Sequence, residues 1–224
     1  MTPIIKAMLT LQDKLNTVTL GPDWKNGPQD WHLAISQECA EGIDHLGWKW
    51  WAKQTQDLPA ARIELIDVLH FVLSAELRWA DANDDLTAEL AQSFQEYDQP
   101  IILDETTFNV ADATPVELFQ LISAMACVGY TNFGLVALLA QKLGMNILEM
   151  SVLYRQKATL NLFRQNNGYK DGTYVKHWAP GLEDNTFLDI LSQGINWTHA
   201  SAQDLFYGRL NVKYLEVRQA LTSH

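Results

Sequence analysis

The chain has 224 residues, 47% hydrophobic and 19% charged, with 16 Lys and Arg against 27 Asp and Glu for a formal net charge of -11. This composition excludes the disordered class and fits one ordinary folded domain. The acidic balance speaks against a nucleic-acid polymer as partner, and it admits a polyphosphate ligand only with metal ions or a local cluster of cations.

Helical periodicity dominates and alternating strands with hairpin turns are missing, which predicts an all-α fold. A first helix spans about 5–17 and stops at "TLGPDW", where Gly21 and Pro22 break it. A second covers about 30–46, with Gly47 near its end. The third covers about 59–80, with Asp57 as cap and Pro59 in the first turn. Residues 81–113 read as a short helix and a long acidic connection, and 81–131 as a mobile or variable lobe. A new helix starts at "TPVELFQ", where Thr114, Pro115 and Glu117 form a capping box. Two more follow at about 132–143 and 146–166, separated by Gly144. After "NNGYKDGTY" the C-terminal segment is less regular until a polar helix near 201–221. No repeat or low-complexity tract interrupts the series, so 1–224 is expected to form a single helical domain.

Two pairs of acids stand out. Glu38 and Glu41 lie three apart in the second helix, and Glu64 and Asp67 repeat that spacing in the third. Residues three apart project from one helical face, so two facing helices would bring four carboxylates together. Around the second pair, "IELIDVLHFVL" is otherwise apolar, and this helix is expected to be buried on most sides. An unpaired buried carboxylate costs several kcal/mol, which a divalent cation removes. Mg²⁺ suits carboxylate and phosphate oxygens. A solvated strip paired with Lys and Arg is the plain alternative. Between the pairs, "GWKWW" surrounds Lys49 with tryptophans, as core packing or as a platform on which a base stacks.

A second cluster lies in "YRQKATLNLFRQNNGYKDGTYVKHW". Lys157, Asn161 and Arg164 share a helical face, Leu160 and Phe163 occupy another, and a Gly-rich exit carries Tyr169, Lys170, Tyr174 and Lys176. A cationic face followed by a flexible basic loop suits a polyphosphate, with an ordinary solvated face as the alternative. Acids for metal and bases for phosphate make nucleotide hydrolysis the leading chemistry. The two cysteines, Cys39 and Cys127, form no spaced framework and are expected in core packing, in a reducing compartment. No run approaches the roughly 18 apolar residues of a membrane helix and no signal-peptide pattern opens the chain, so a cytoplasmic location without a membrane partner is expected.

Together "LQDKLN", "ECAEGIDHLGWKWW", "ELIDVLHFVLS", "YRQKATLNLFRQNNGYKDGTY" and "GLEDN" resemble the dimeric dUTPases, members of the all-α nucleoside triphosphate pyrophosphatase superfamily, over roughly residues 8–75 and 133–186. The resemblance implies a helical bundle that hydrolyses dUTP, and dUDP as well, to dUMP, releasing pyrophosphate or phosphate, in a homodimer. It implies two or more Mg²⁺ ions held by Glu38, Glu41, Glu64 and Asp67, and a metal-activated water with Glu38 the chosen base and Glu41 its rival. Lys157, Arg164, Tyr169, Lys170 and Lys176 would contact phosphates, joined by Lys49 and Tyr174. Gln12, Asn16, Trp51 and Asn161 would surround deoxyuridine, and Asn185 would close over the site. The family suggests attack at the β-phosphorus. The competing readings are a dCTP/dUTP or broader dNTP pyrophosphatase of the same superfamily, differing in the base pocket, and a non-catalytic helical interaction module.

Overall fold

In the computed structural model, which describes residues 1–80, 85–96, 98–103 and 105–222, helix α1 (Thr2–Leu20) is longer at both ends than its expected span of 5–17. Pro3 lies in the first turn, where the backbone N–H groups have no intrahelical acceptor, so its missing donor costs nothing. Gly21, with φ 98°, ends the helix. Asp30 caps α2 (Trp31–Asp44) by accepting from the Leu33 N–H at 2.9 Å. As expected, the Asp57 carboxylate caps α3 (Leu58–Trp79) by accepting from the Ala60 N–H at 3.0 Å, and Pro59 sits in its first turn.

Helix α4 (Leu86–Gln95) leads to a feature the sequence reading missed: β1 (Ile101–Leu103) and β2 (Thr106–Phe108) pair antiparallel, with Glu105 at φ 63° in the turn. A second small pair, β3 (His177–Ala179) with β4 (Leu182–Glu183), lies beyond α7 and turns through Gly181. Strands of two or three residues are too short to display the alternation by which strands are recognised. Between these pairs run α5 (Pro115–Cys127), with both halves of the Thr114–Glu117 capping box, α6 (Phe133–Lys142) and α7 (Ile147–Asn166). Short α8 (Leu188–Ser192) and long α9 (Ala202–Thr222) complete the order. The all-α architecture stands, with a less regular stretch between α7 and α9.

The main core gathers apolar faces of α1 to α7. Helix α2 packs most extensively on α3 and α5. From the segment expected to be a variable lobe, Leu90, Val110, Leu118, Phe119 and Ile122 join this core, while 81–84, 97 and 104 lie outside the described residues. A second core brings Leu160 and Phe163 of α7 against Trp178, Leu188, Phe206, Leu210 and Tyr214. Leu153 of α7 packs against both, so that one helix joins the two cores. Cys39 is buried as expected; Cys127 is exposed, because it ends α5 where the helix leaves the core. Among the described residues, no single helix is long and apolar enough to cross a membrane.

Gly42 explains how α2 approaches α5 so closely. A Cβ at this position would lie 2.4 Å from Cζ of the fully buried Phe119. We expect Gly42→Ala to destabilise the fold by about 1–3 kcal/mol through overpacking, read as a lower denaturation midpoint. Phe119→Leu in the same background should recover part of the loss. An unchanged midpoint for the single variant would refute the packing argument.

Candidate active site

The apolar faces of α2 and α3 set where their acids go. Cys39, Leu65, Val68 and Leu69 are buried between the helices, which turns Glu38, Glu41 and Glu64 to a common side. One carboxylate oxygen from each of these three lies within 4.8 Å of the other two. Glu41 is exposed, while Glu38 and Glu64 are half-buried. Asp67 stands beside this group but turns to a cation: its Oδ2 is 2.7 Å from Lys157 Nζ. His45, just past the end of α2, places Nε2 3.5 Å from Glu64 Oε1.

The electrostatics follow from burial and like charge. Desolvation, reinforced by the carboxylates of Asp67, Glu41 and Glu64, pushes Glu38 up to about 8 from its ordinary 4.5. Burial and Asp67 also raise Glu64. The donor set fits a hard divalent cation: it offers carboxylate oxygens only, they converge, and the exposed edge at Glu41 leaves room for water and substrate oxygens.

The cationic half comes from α7. Lys157 is almost fully buried, and its Nζ also donates to Asn185 Oδ1 at 3.1 Å. Arg164 makes a two-pronged contact with the fully buried Asp184, Nε to Oδ2 at 2.8 Å and Nη2 to Oδ1 at 2.6 Å. Burial alone would lower the arginine, but Asp184 outweighs it and holds Arg164 above its ordinary value. The same guanidinium donates to Asn161 Oδ1 at 3.1 Å and to Asn185 Oδ1 at 3.2 Å. Lys157, Asn161 and Arg164 therefore do share a face, and it is not a solvated one.

Other candidates are placed variously. Tyr169 lies against the Arg164 guanidinium, 5.7 Å from ring centroid to Cζ, and Lys170 donates to the Thr19 carbonyl at the end of α1. Lys176 pairs with Glu183 at 2.9 Å. Tyr174, expected on a flexible basic loop, turns inward: its hydroxyl donates to Asp184 Oδ2 at 2.7 Å and its ring stacks on Tyr214. The loop after α2 holds Lys49 against Asp44 at 2.9 Å and leaves Trp51 exposed, edge-on to Trp48 and Trp50. The three tryptophans of "GWKWW" are thus surface aromatics and not core.

Farther along α3, Gln12 and Asn16 of α1 form a buried polar network. Gln12 Nε2 donates to Asn16 Oδ1 and Ser74 Oγ, both at 2.9 Å, and Asn16 Nδ2 donates to Ser74 at 3.0 Å. The Tyr154 hydroxyl donates to Gln12 Oε1 at 2.9 Å, and His70 Nδ1 lies 2.7 Å from the same oxygen. Full burial drops His70 to about 4, so the imidazole is neutral at pH 7. A cleft of about 800 Å³ opens at the other end, over Glu64, Asn185, His45, Ile63, Leu153 and Gln156. The sequence reading missed Asp184, His45, His70 and Tyr154. Asp184 adjoins Asn185 in "EDN", but local sequence does not say which of two neighbours turns inward.

A sequence profile of the dUTPase family matches residues 4–169, from the amides of α1 through all four acids to Lys157, Arg164 and Tyr169. The chain belongs to the dUTPase family. This is the family that the motifs resemble, and membership makes the protein a dUTP diphosphatase, a nucleoside triphosphate pyrophosphohydrolase of a metal-dependent class. The reading as a non-catalytic module is thereby set aside. No individual curated protein matches the chain. Lys170, Tyr174, Lys176, Asp184 and Asn185 lie beyond the matched span.

The acid cluster has a consequence for stability. Glu38 binds its proton more tightly folded, at about 8, than at the ordinary 4.5, so its contribution is fully present below 4.5 and is lost as pH rises towards 8. His70, depressed from 6.5 to about 4, acts oppositely, destabilising as pH falls through that window. The difference between wild type and Glu38→Gln isolates the carboxylate. With chelator present, we expect the wild-type melting temperature to fall relative to the variant between about pH 5 and 8, and millimolar Mg²⁺ to flatten that fall. Parallel pH profiles for the two proteins would refute the clustered-charge reading.

Proposed function

We propose that this dUTPase carries out Mg²⁺-dependent hydrolysis of dUTP, and of dUDP, to dUMP, releasing pyrophosphate or phosphate. The observation that carries the reading is the convergence of Glu38, Glu41 and Glu64, with Asp67 and Lys157 alongside. Two or more ions would be held by Glu38, Glu41, Glu64 and Asp67. When bound, they would polarise phosphoryl oxygens, lower the pKa of the attacking water and offset the negative charge of the substrate.

The remaining work falls to the protein. Glu38 takes the proton from the attacking water, with Glu41, at the exposed edge of the cluster, the rival for that role. Lys157 and Lys170 bind phosphate oxygens, with Tyr169, Lys49 and Lys176 around them, and Asn185 closes over the same groups. The nucleoside extends along α3 towards Gln12 and Asn16, flanked by Asn161 and Trp51. Glu64, Asp67, His70 and Ser74 follow one face of α3, and their ten-residue span is about 15 Å, comparable to an extended nucleotide. A pocket closed on the 5-position excludes thymine, and the orientation of the amides excludes cytosine. The homodimer rests on the family resemblance, and the single-domain organisation over 1–224 and the cytoplasmic location rest on the sequence features that predict them.

A nucleotide panel tests this reading. With Mg²⁺, dUTP should be turned over at least about a hundredfold more efficiently than dCTP or dTTP, and chelator should abolish turnover. Glu64→Gln should lower kcat at least about a hundredfold at saturating Mg²⁺ with helical content unchanged by circular dichroism. Equal rates on dCTP and dUTP would transfer the assignment to the dCTP/dUTP class, and chelator-resistant turnover would overturn the metal assignment.

A further inference from the structure

Asp184 is the most completely engaged polar side chain next to the site, and no part of the proposed chemistry uses it. An ionised carboxylate has about four lone-pair positions, and here each is occupied. Oδ1 accepts from Arg164 Nη2 at 2.6 Å and from the Asn185 backbone N–H at 2.9 Å. Oδ2 accepts from Arg164 Nε at 2.8 Å and from the Tyr174 hydroxyl at 2.7 Å. With no lone pair to spare and no exposed surface, Asp184 is not placed to bind a metal or a substrate itself.

Arg164 is engaged almost as fully. Four of its five N–H groups are committed, two to Asp184, one to Asn161 and one to Asn185, which leaves one for a ligand. A guanidinium that clamps phosphate in two-pronged fashion needs two parallel donors, and these already face Asp184. The amide oxygens of Asn161 and Asn185 both converge on this arginine, and Asn185 is also the acceptor for Lys157 Nζ. Asp184 thus stands at the head of a chain of contacts: carboxylate to arginine, arginine to two amides, amide to the lysine beside Asp67.

We propose that Asp184 is a positioning residue for dUTP hydrolysis, acting through Arg164 to fix Asn161, Asn185 and Lys157 while leaving that arginine one N–H for a phosphate oxygen. The proposal rests on the function given above. The residue also ties the β3–β4 segment to α7, because Asp184 and Asn185 follow β4, beyond the Gly-rich exit that carries Tyr174. The buried, two-pronged ion pair makes the arrangement rigid, and rigidity is what a site needs to hold several polar groups within a fraction of an ångström.

A double-mutant cycle separates this role from a merely structural one. Asp184→Asn, Asn185→Ala and the pair are compared for kcat and KM on dUTP, and for Kd of a non-hydrolysable dUTP analogue with Mg²⁺, below the melting temperature of each variant. We expect Asp184→Asn to lower kcat/KM about a hundredfold and Asn185→Ala about tenfold, with the double variant no worse than Asp184→Asn alone, because the two act in series. Additive losses, or an Asp184→Asn variant within about threefold of wild type, would overturn the proposal. If Asp184→Asn does not fold, Tyr174→Phe takes its place, with an expected loss of about fivefold and the same requirement of non-additivity with Asn185→Ala. A wild type that binds the analogue without hydrolysing dUTP defeats the functional reading, and the cycle is then decided on Kd. A wild type that does neither defeats both.

Discussion

Like charges held together by apolar packing are the constraint on which the rest of this structure depends. Glu38, Glu41 and Glu64 meet because α2 and α3 bury Cys39, Leu65, Val68 and Leu69 between them, and because Gly42 lets Phe119 of α5 press against α2. The carboxylates cannot separate without opening that core. Burial of Leu65, Ile66, Val68, Leu69, Val72 and Leu73 on α3 supplies on the order of 10 kcal/mol, against a few kcal/mol of screened repulsion per close pair. Packing wins, and the desolvation it imposes, with the residual repulsion added, appears as the raised proton affinity of Glu38 and Glu64. A cluster whose repulsion a cation would relieve fits the metal-dependent class to which the family belongs.

Compensation on the other side of the site is local. Although the chain carries a net charge of -11, two buried cations on α7 each find a carboxylate, Lys157 with Asp67 and Arg164 with Asp184. The two pairs differ in kind. Lys157 is a single-point donor on a flexible stem, whereas Arg164 is locked by a planar fork on Asp184 with the Tyr169 ring against its guanidinium. The second pair suits a fixed frame.

Much of the fold was legible residue by residue. The caps at Asp57 and Thr114, the first-turn prolines, and Gly144 between α6 and α7 work through side chain and backbone within a few residues, so reading them requires no knowledge of the fold. The acid pairs were legible for the same reason, since three-residue spacing fixes a shared face. Illegible were the two small strand pairs, too short to show a period, and the exposure of Cys127, which depends on where α5 leaves the core. The inward turn of Tyr174 was illegible as well, because its hydroxyl is held by a carboxylate ten residues away across a strand pair.

By itself, the sequence determined that this protein is helical, that four acids sit in pairs on two successive helices, and that its motifs resemble the dUTPases. Those properties are encoded in spacings of three or four residues and in short runs whose meaning does not depend on distant parts of the chain. Only the tertiary structure decided that three of the acids converge while the fourth pairs with Lys157, that Gln12 and Asn16 meet Ser74, His70 and Tyr154, and that Asp184 collects Arg164 and Tyr174. Each of these contacts joins different elements, and several join residues more than fifty positions apart. Their partners are chosen by how helices cross when the apolar faces are buried, which no local periodicity specifies.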